Sequence, residues 1–303
     1  MLFLARFILK GHSQAALVAA TTALLGVLFT PALWVSGGAI VLVTLVKGPR
    51  QGIISMLLAI AGAALFSWLV FAAPQMAMMF VLMAWLPAWL IAAVLQQSVS
   101  LAYSLQVLTG IALAGVAVLY ALWPDMGEAW REPLEQMATQ LASQSDEFSL
   151  DDLNHTVDWL LAFMPALLAS SVMFGAMISL FLGRWWQAVL YNPGGFGREF
   201  RSLNLGKTAA LIALAIMLLA MVTGSVLVLG LVTVVLMTYS IQALSLIHAV
   251  VNIRQISGAW LFFAYALLFF IPHLLILVIL LAFADPWLDI RGRLAAPGGN
   301  GPE

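Results

Sequence analysis

The chain has 303 residues, 64 % of them hydrophobic and 8 % charged, with a net charge of −1 and no cysteine. Soluble domains typically carry about 25 % charged residues, so this composition excludes an ordinary water-exposed globule and points to a polytopic chain in a bilayer. Without cysteine, disulfides, thiolate metal sites and cysteine nucleophiles are excluded as well.

In chain order, the opening MLFLARFILKGHSQ sets Arg6 and Lys10 around a short apolar patch with no small-residue cleavage site. It reads as an uncleaved, partly interfacial start. Hydropathy breaks, turn residues and charges then predict two short spans at 15–29 and 33–46, parted at Thr30 and Pro31. Fuller spans follow at 52–71, 76–95 and 101–122. The 76–95 segment carries Trp85, Pro87 and Trp89.

Beyond Pro124 the composition inverts. Asp125, Glu128, Glu132, Glu135, Asp146, Glu147, Asp151, Asp152 and Asp158 stand against Arg131 alone, a net of minus eight. Trp130, Leu134, Met137 and Leu141 recur at helical spacing, which predicts an amphipathic helix along the membrane surface. Ser149 with Asp152 resembles a capping box opening a sixth span that runs to about Leu182.

The stretch GRWWQAVLYNPGGFGREFRSLNLGK, residues 183–207, follows as a loop with aromatic residues at headgroup level and a Pro-Gly turn. Residues 208–252 are too long for one span and predict two helices parted near Gly224 or Gly230. A last stretch, 259–283, contains Pro272. The fold class is therefore all-α, a polytopic transmembrane bundle of about nine spans, eight to nine.

The domains read as an N-terminal membrane half at 1–123 with about five spans, an acidic extracytoplasmic segment at 124–153, a C-terminal membrane half at 154–290 with about four spans, and a disordered tail at 291–303. Nine spans place Arg6, Lys10, Lys47, Arg50, Arg184, Arg198, Arg201, Lys207 and Arg254 on one side, opposed only by Glu199. The positive-inside rule makes that side cytoplasmic, together with the N-terminus. Nine spans leave the C-terminus outside; a re-entrant segment would bring it inside.

Polar groups deep in lipid are costly, so they are the first candidates for a site. Tyr239, Gln242 and Ser245 share a helix face with Asn252, and His273 follows the kink expected at Pro272. Together with Trp85 and Trp89 they can line a ligand cavity; equally, the polar stripe can supply hydrogen bonds between helices. Gln106 and His248 are weaker candidates. Asp151, Asp152, His155 and Asp158 have helical spacing but supply no fixed four-ligand set, so no metal or other cofactor is expected. No nucleophile elbow occurs, and GGFG lacks the register of a dinucleotide loop, so no enzymatic activity is expected; no nucleic-acid partner is expected either. No charged residue falls inside a predicted span, which disfavours proton-coupled antiport. Small-x-x-x-small pairs, Ala15 with Ala19, Ala16 with Ala20, Gly110 with Ala114 and Ser171 with Gly175, predict close helix contacts.

The segments LGRWWQAVLYNPGGFGREFRSLNLGK, IHAVVNIRQISGAW and DPWLDIRGR resemble the YybS-like family of predicted bacterial membrane proteins, a domain of unknown function. That family is distantly similar in fold to the substrate-binding S subunits of energy-coupling-factor vitamin transporters. S subunits dock on a transmembrane coupling subunit through an Ala-x-x-x-Ala face of the first helix, which Ala15 and Ala19 match. The resemblance implies a transporter-like subunit of a bacterial inner membrane that binds a small molecule or lipid. The rival expectation is a membrane scaffold with no transported substrate, gripping a partner through the acidic outer segment or through the basic loop at Arg198, Glu199, Phe200 and Arg201.

Overall fold

The computed structural model describes residues 2–144 and 149–295. Among them every regular element is helical: α1 Leu2–Lys10, α2 His12–Gly26, α3 Pro31–Lys47, α4 Pro49–Phe71, α5 Met76–Phe80, α6 Leu86–Ser98, α7 Leu101–Leu122, α8 Arg131–Gln144, α9 Leu150–Tyr191, α10 Gly195–Arg201, α11 Gly206–Thr223, α12 Val226–Ile253, α13 Ala259–Phe270, α14 His273–Leu288 and α15 Ile290–Ala295. Asp146 and Glu147, and the tail beyond 295, lie outside the described residues.

Six helical stretches are long and apolar enough to cross a membrane, namely Pro49–Phe71, Met76–Ser98, Leu101–Leu122, Leu150–Tyr191, Gly206–Thr223 and Val226–Ile253. A seventh results if α13 and α14, bent by 116° at their junction, count as one. The chain is thus a multi-pass helical membrane protein by the length and composition of its helices. The expected count of nine is not reached. At 1.5 Å per residue, α2 and α3 extend only about 23 and 26 Å, against a hydrocarbon core of about 30 Å. The expected last span is a bent pair, because Pro272 supplies no N–H and the chain breaks at Ile271 before restarting at His273.

The chain separates into two compact units. The first comprises Met1–Leu108, Val172–Ala210 and Thr238–Glu303. At its centre α3 is buried without interruption from Ser36 to Leu45, so a helix short for a span serves as the core. On α2, Ala15, Ala16, Ala19, Ala20 and Ala23 are all buried among α1, α3 and α4. Small side chains also bring α3 and α9 together: a Cβ on Gly37 would strike Ser179, and one on Gly183 would strike Val41. Polar cross-links follow. Ser36 donates to the Ala19 carbonyl at 2.6 Å, and Ser179 to the Trp34 carbonyl at 3.2 Å.

Between α5 and α6 the helix widens into a π turn, Val81–Trp85, with the Leu86 N–H reaching back to the Val81 carbonyl. Pro87 is the local cause, since its ring cannot accept an ordinary helical register behind it.

The second unit comprises Thr109–Ser171 and Leu211–Met237. Gly127 sits so close to the Leu161 carbonyl that no Cβ fits, and Gly230 likewise abuts Ala166. The predicted amphipathic helix is α8, whose Ala138 joins Val157 and Leu161 of α9 in a small core. Ser149 opens α9 by accepting the Asp151 N–H at 3.2 Å. The break at Gly224, with φ +56°, parts α11 from α12.

Three further differences stand out. The sixth predicted span, taken to end near Leu182, is one 42-residue helix reaching Tyr191, so the first part of the expected loop is helical. Residues 291–295, assigned to a disordered tail, belong to α15. The contact expected at Gly110 is not made; among the described residues nothing lies near enough to meet a Cβ there.

Candidate functional site

In the first unit the polar residues of α12 converge on backbone. Gln242, 0 % exposed, accepts the Leu205 N–H at 2.9 Å and donates to the Ala282 carbonyl at 2.5 Å. Gln106 donates to the carbonyl of the same Leu205 at 2.6 Å. One turn on, Ser245 donates to the Phe200 carbonyl at 2.6 Å and accepts from Arg291 at 3.2 Å. Residues 202–205 leave the helical register after Phe200 and Arg201 end α10, so the backbone groups of this stretch need partners inside an apolar protein. Helix α12 supplies them for the Leu205 N–H and the Phe200 carbonyl, and Gln106 for the Leu205 carbonyl.

Arg291 completes the node. It donates to the Arg201 carbonyl at 2.8 Å, and its Nε lies 3.2 Å from Asp285 Oδ2 as an ion pair without hydrogen-bond alignment. Asp285 is 1 % exposed, and its other oxygen accepts the Ile290 N–H at 3.1 Å, turning the chain from α14 into α15. Burial pulls the Arg291 pKa below its usual value, with Asp285 opposing. Asp285, two residues beyond the expected end of the last span at 283, lies in the last turn of α14. Arg291 and Asp285 were not singled out from sequence, where they stand among nearly cancelling charges; their six-residue separation across the Asp289 turn was the only available signal.

The remaining predicted residues scatter. Tyr239 is buried against Phe283, ring centroids 5.2 Å apart, and its hydroxyl has no partner among the described residues. His273 is exposed at the bend between α13 and α14, and Asn252 is exposed. His248 bonds the Tyr265 hydroxyl at 2.8 Å and meets the Phe200 ring edge-on. Trp85 is buried and donates to Ser36 at 2.7 Å, while Trp89 donates to the Pro49 carbonyl at 3.0 Å. Both tryptophans brace α3 and α4. Ala15 and Ala19 are 0 % exposed, so the face expected to dock a partner is already covered by the chain itself.

In the 198–201 segment, Glu199 pairs with Arg184 at 2.8 Å, Arg198 donates to Asn192 at 3.3 Å, and the Phe200 ring packs on Phe181 and Phe196. Burial raises the Glu199 pKa even though Arg184 opposes it.

The second unit carries a cleft of about 340 Å3 lined by Tyr120, Asp125, Glu128, Arg131, Asp158 and Leu161 among others. Arg131 is gripped by Glu128 at 2.6 Å, Asp158 at 2.7 Å and Glu135 at 3.3 Å. Its hydrogen bond and charge hold the Glu128 carboxyl below the usual range. Asp151 and His155 approach to 3.8 Å on an exposed surface, and among the described residues no three potential metal ligands converge.

No protein-family model, curated protein or solved structure matches the chain.

Proposed function

We propose that the chain is a multi-pass protein of the bacterial inner membrane that acts as a non-catalytic scaffold or assembly subunit. The observation that carries this reading is Gln242. Both ends of its amide are taken by backbone, and Ser245 beside it is likewise engaged, so the polar stripe works as glue between helices. In this reading α2 and α3 are short crossings, the six longer helices complete eight, and α13 with α14 is re-entrant. The N-terminus, the segment 192–205 and the C-terminus face the cytoplasm, and the acidic α8 faces outward. The bond from Arg291 to Arg201 supports placing the C-terminus beside the basic segment.

A second reading, a transporter-like subunit binding a small molecule or lipid, draws on the cleft at Tyr120 and Arg131 and on the broken helix at Pro272, since interrupted helices often frame transport sites. Affinity purification from native membranes, followed by mass spectrometry of proteins and small molecules, separates the two. The scaffold reading expects a stoichiometric membrane partner and no tightly held metabolite; a metabolite retained without any partner overturns it.

A further inference from the structure

The first 124 residues hold four bases, Arg6, Lys10, Lys47 and Arg50, and no acid. The fold gathers them. Helix α1 packs through Ala5 and Ile8, which leaves Phe3, Arg6 and Lys10 on an outward stripe at spacings of three and four. Lys47, at the end of α3, donates to the Leu9 carbonyl at 2.8 Å and so stands beside Lys10 at the end of α1. Arg50 follows in the first turn of α4. All four are exposed, and none makes an ion pair among the described residues. By contrast, Arg184 has Glu199 and Arg198 has Asn192.

The same stripe is apolar. Phe3 is 80 % exposed, its ring stacks on Phe7, and the Lys10 ammonium lies 5.9 Å from the Phe7 ring. An occupant must therefore accept an aromatic side chain and neutralise several positive charges within one helix length. An acidic protein surface answers the charges but not Phe3, and neutral lipid answers Phe3 but not the charges. The headgroup layer of an anionic membrane does both.

We propose that α1, with Lys47 and Arg50, is a docking surface for anionic phospholipid, which holds this end of the first unit at the headgroup layer. Each base near an anionic surface contributes about a fivefold gain in binding, so removing three costs on the order of 100-fold.

The test uses the full-length protein in detergent, titrated with dioleoyl-phosphatidylglycerol or dioleoyl-phosphatidylcholine, with binding read by native mass spectrometry and by thermal stabilisation. The wild type should retain and be stabilised by phosphatidylglycerol only. The variant Lys10→Gln/Lys47→Gln/Arg50→Gln should lose that binding, Lys10→Arg/Lys47→Arg should keep it, and Arg198→Gln/Lys207→Gln/Arg254→Gln, which leaves the α1 surface intact, should weaken it far less than the first variant. Equal response to the two lipids, or equal loss in both glutamine variants, overturns the proposal. So does unchanged phosphatidylglycerol binding accompanied by loss of a co-purifying acidic protein. Should the first variant not fold, Phe3→Ser keeps every charge and must still weaken retention; unchanged retention sinks the surface.

Discussion

The side-chain amide of Gln242 donates to the carbonyl of Ala282, forty residues away, and ties α12 to α14. Its other end holds the Leu205 N–H, so one buried side chain fastens the turn before α11 and the second arm of the bent α13–α14 pair together.

Gln242→Leu should therefore destabilise the protein by roughly 1–3 kcal/mol, since buried backbone groups are left without partners. Thermal unfolding in detergent measures this. Were Gln242 instead a ligand-facing residue, the midpoint would hardly move.

Asp285 is buried and pairs with the part-buried Arg291, so removing Arg291 or Asp285 strands the other charge. Asp285→Ala is expected to cost about 3–5 kcal/mol. In a double-mutant cycle, Asp285→Ala/Arg291→Leu should lose less than the sum of the single changes by roughly 1 kcal/mol or more. Additive losses would show that the pair is not coupled.

Glu199 gives a pH prediction. Its folded pKa is raised, so the folded state binds the proton more tightly than the unfolded one. Its contribution is most favourable at and below the usual carboxylate range, and is lost as pH rises through the folded value. Glu199→Gln, which keeps an acceptor for Arg184, should raise the unfolding midpoint at pH 7 and flatten the gain seen on acidification. A midpoint lowered at pH 7 would mean that the Arg184 pairing outweighs burial.

Two glycines should behave oppositely. Gly183→Leu drives a side chain into Val41 at the crossing of α3 and α9, an overpacking cost of roughly 1–3 kcal/mol or more. Gly110→Ala meets open space on α7 and should stabilise by about 0.5–1 kcal/mol through helix propensity. Detergent melting curves of both variants decide the matter.

The absence of cysteine makes sidedness directly measurable. Asn192→Cys and Arg293→Cys should be labelled by a membrane-impermeant maleimide only after the membrane is opened, whereas Gln140→Cys should be labelled in intact spheroplasts. Arg293→Cys labelled from outside would restore nine crossings.

Much of this architecture is written in local pattern. Helix α7 occupies the predicted 101–122, the acidic run contains the amphipathic α8, Gly224 parts α11 from α12, and Pro272 breaks the last apolar stretch. Each rests on near neighbours: a residue that cannot donate, a glycine with positive φ, or the spacing of apolar side chains. The candidate site was legible only as a set of polar residues on one helix face.

Tertiary structure decided everything that depends on which apolar face meets protein and which meets lipid. Hydropathy cannot distinguish them, because lipid tails are as apolar as leucine. So the sequence by itself determined that the chain is helical, apolar and multi-pass, and where most helices begin and end. It left open that the short α3 would be the buried centre, that Ala15 and Ala19 would face their own chain, and that the bent α13 and α14 would return Arg291 to Arg201. The polar groups of α12 were open in the same way, for Gln242 and Ser245 find their partners 37 to 46 residues away, beyond any periodicity a local reading can resolve.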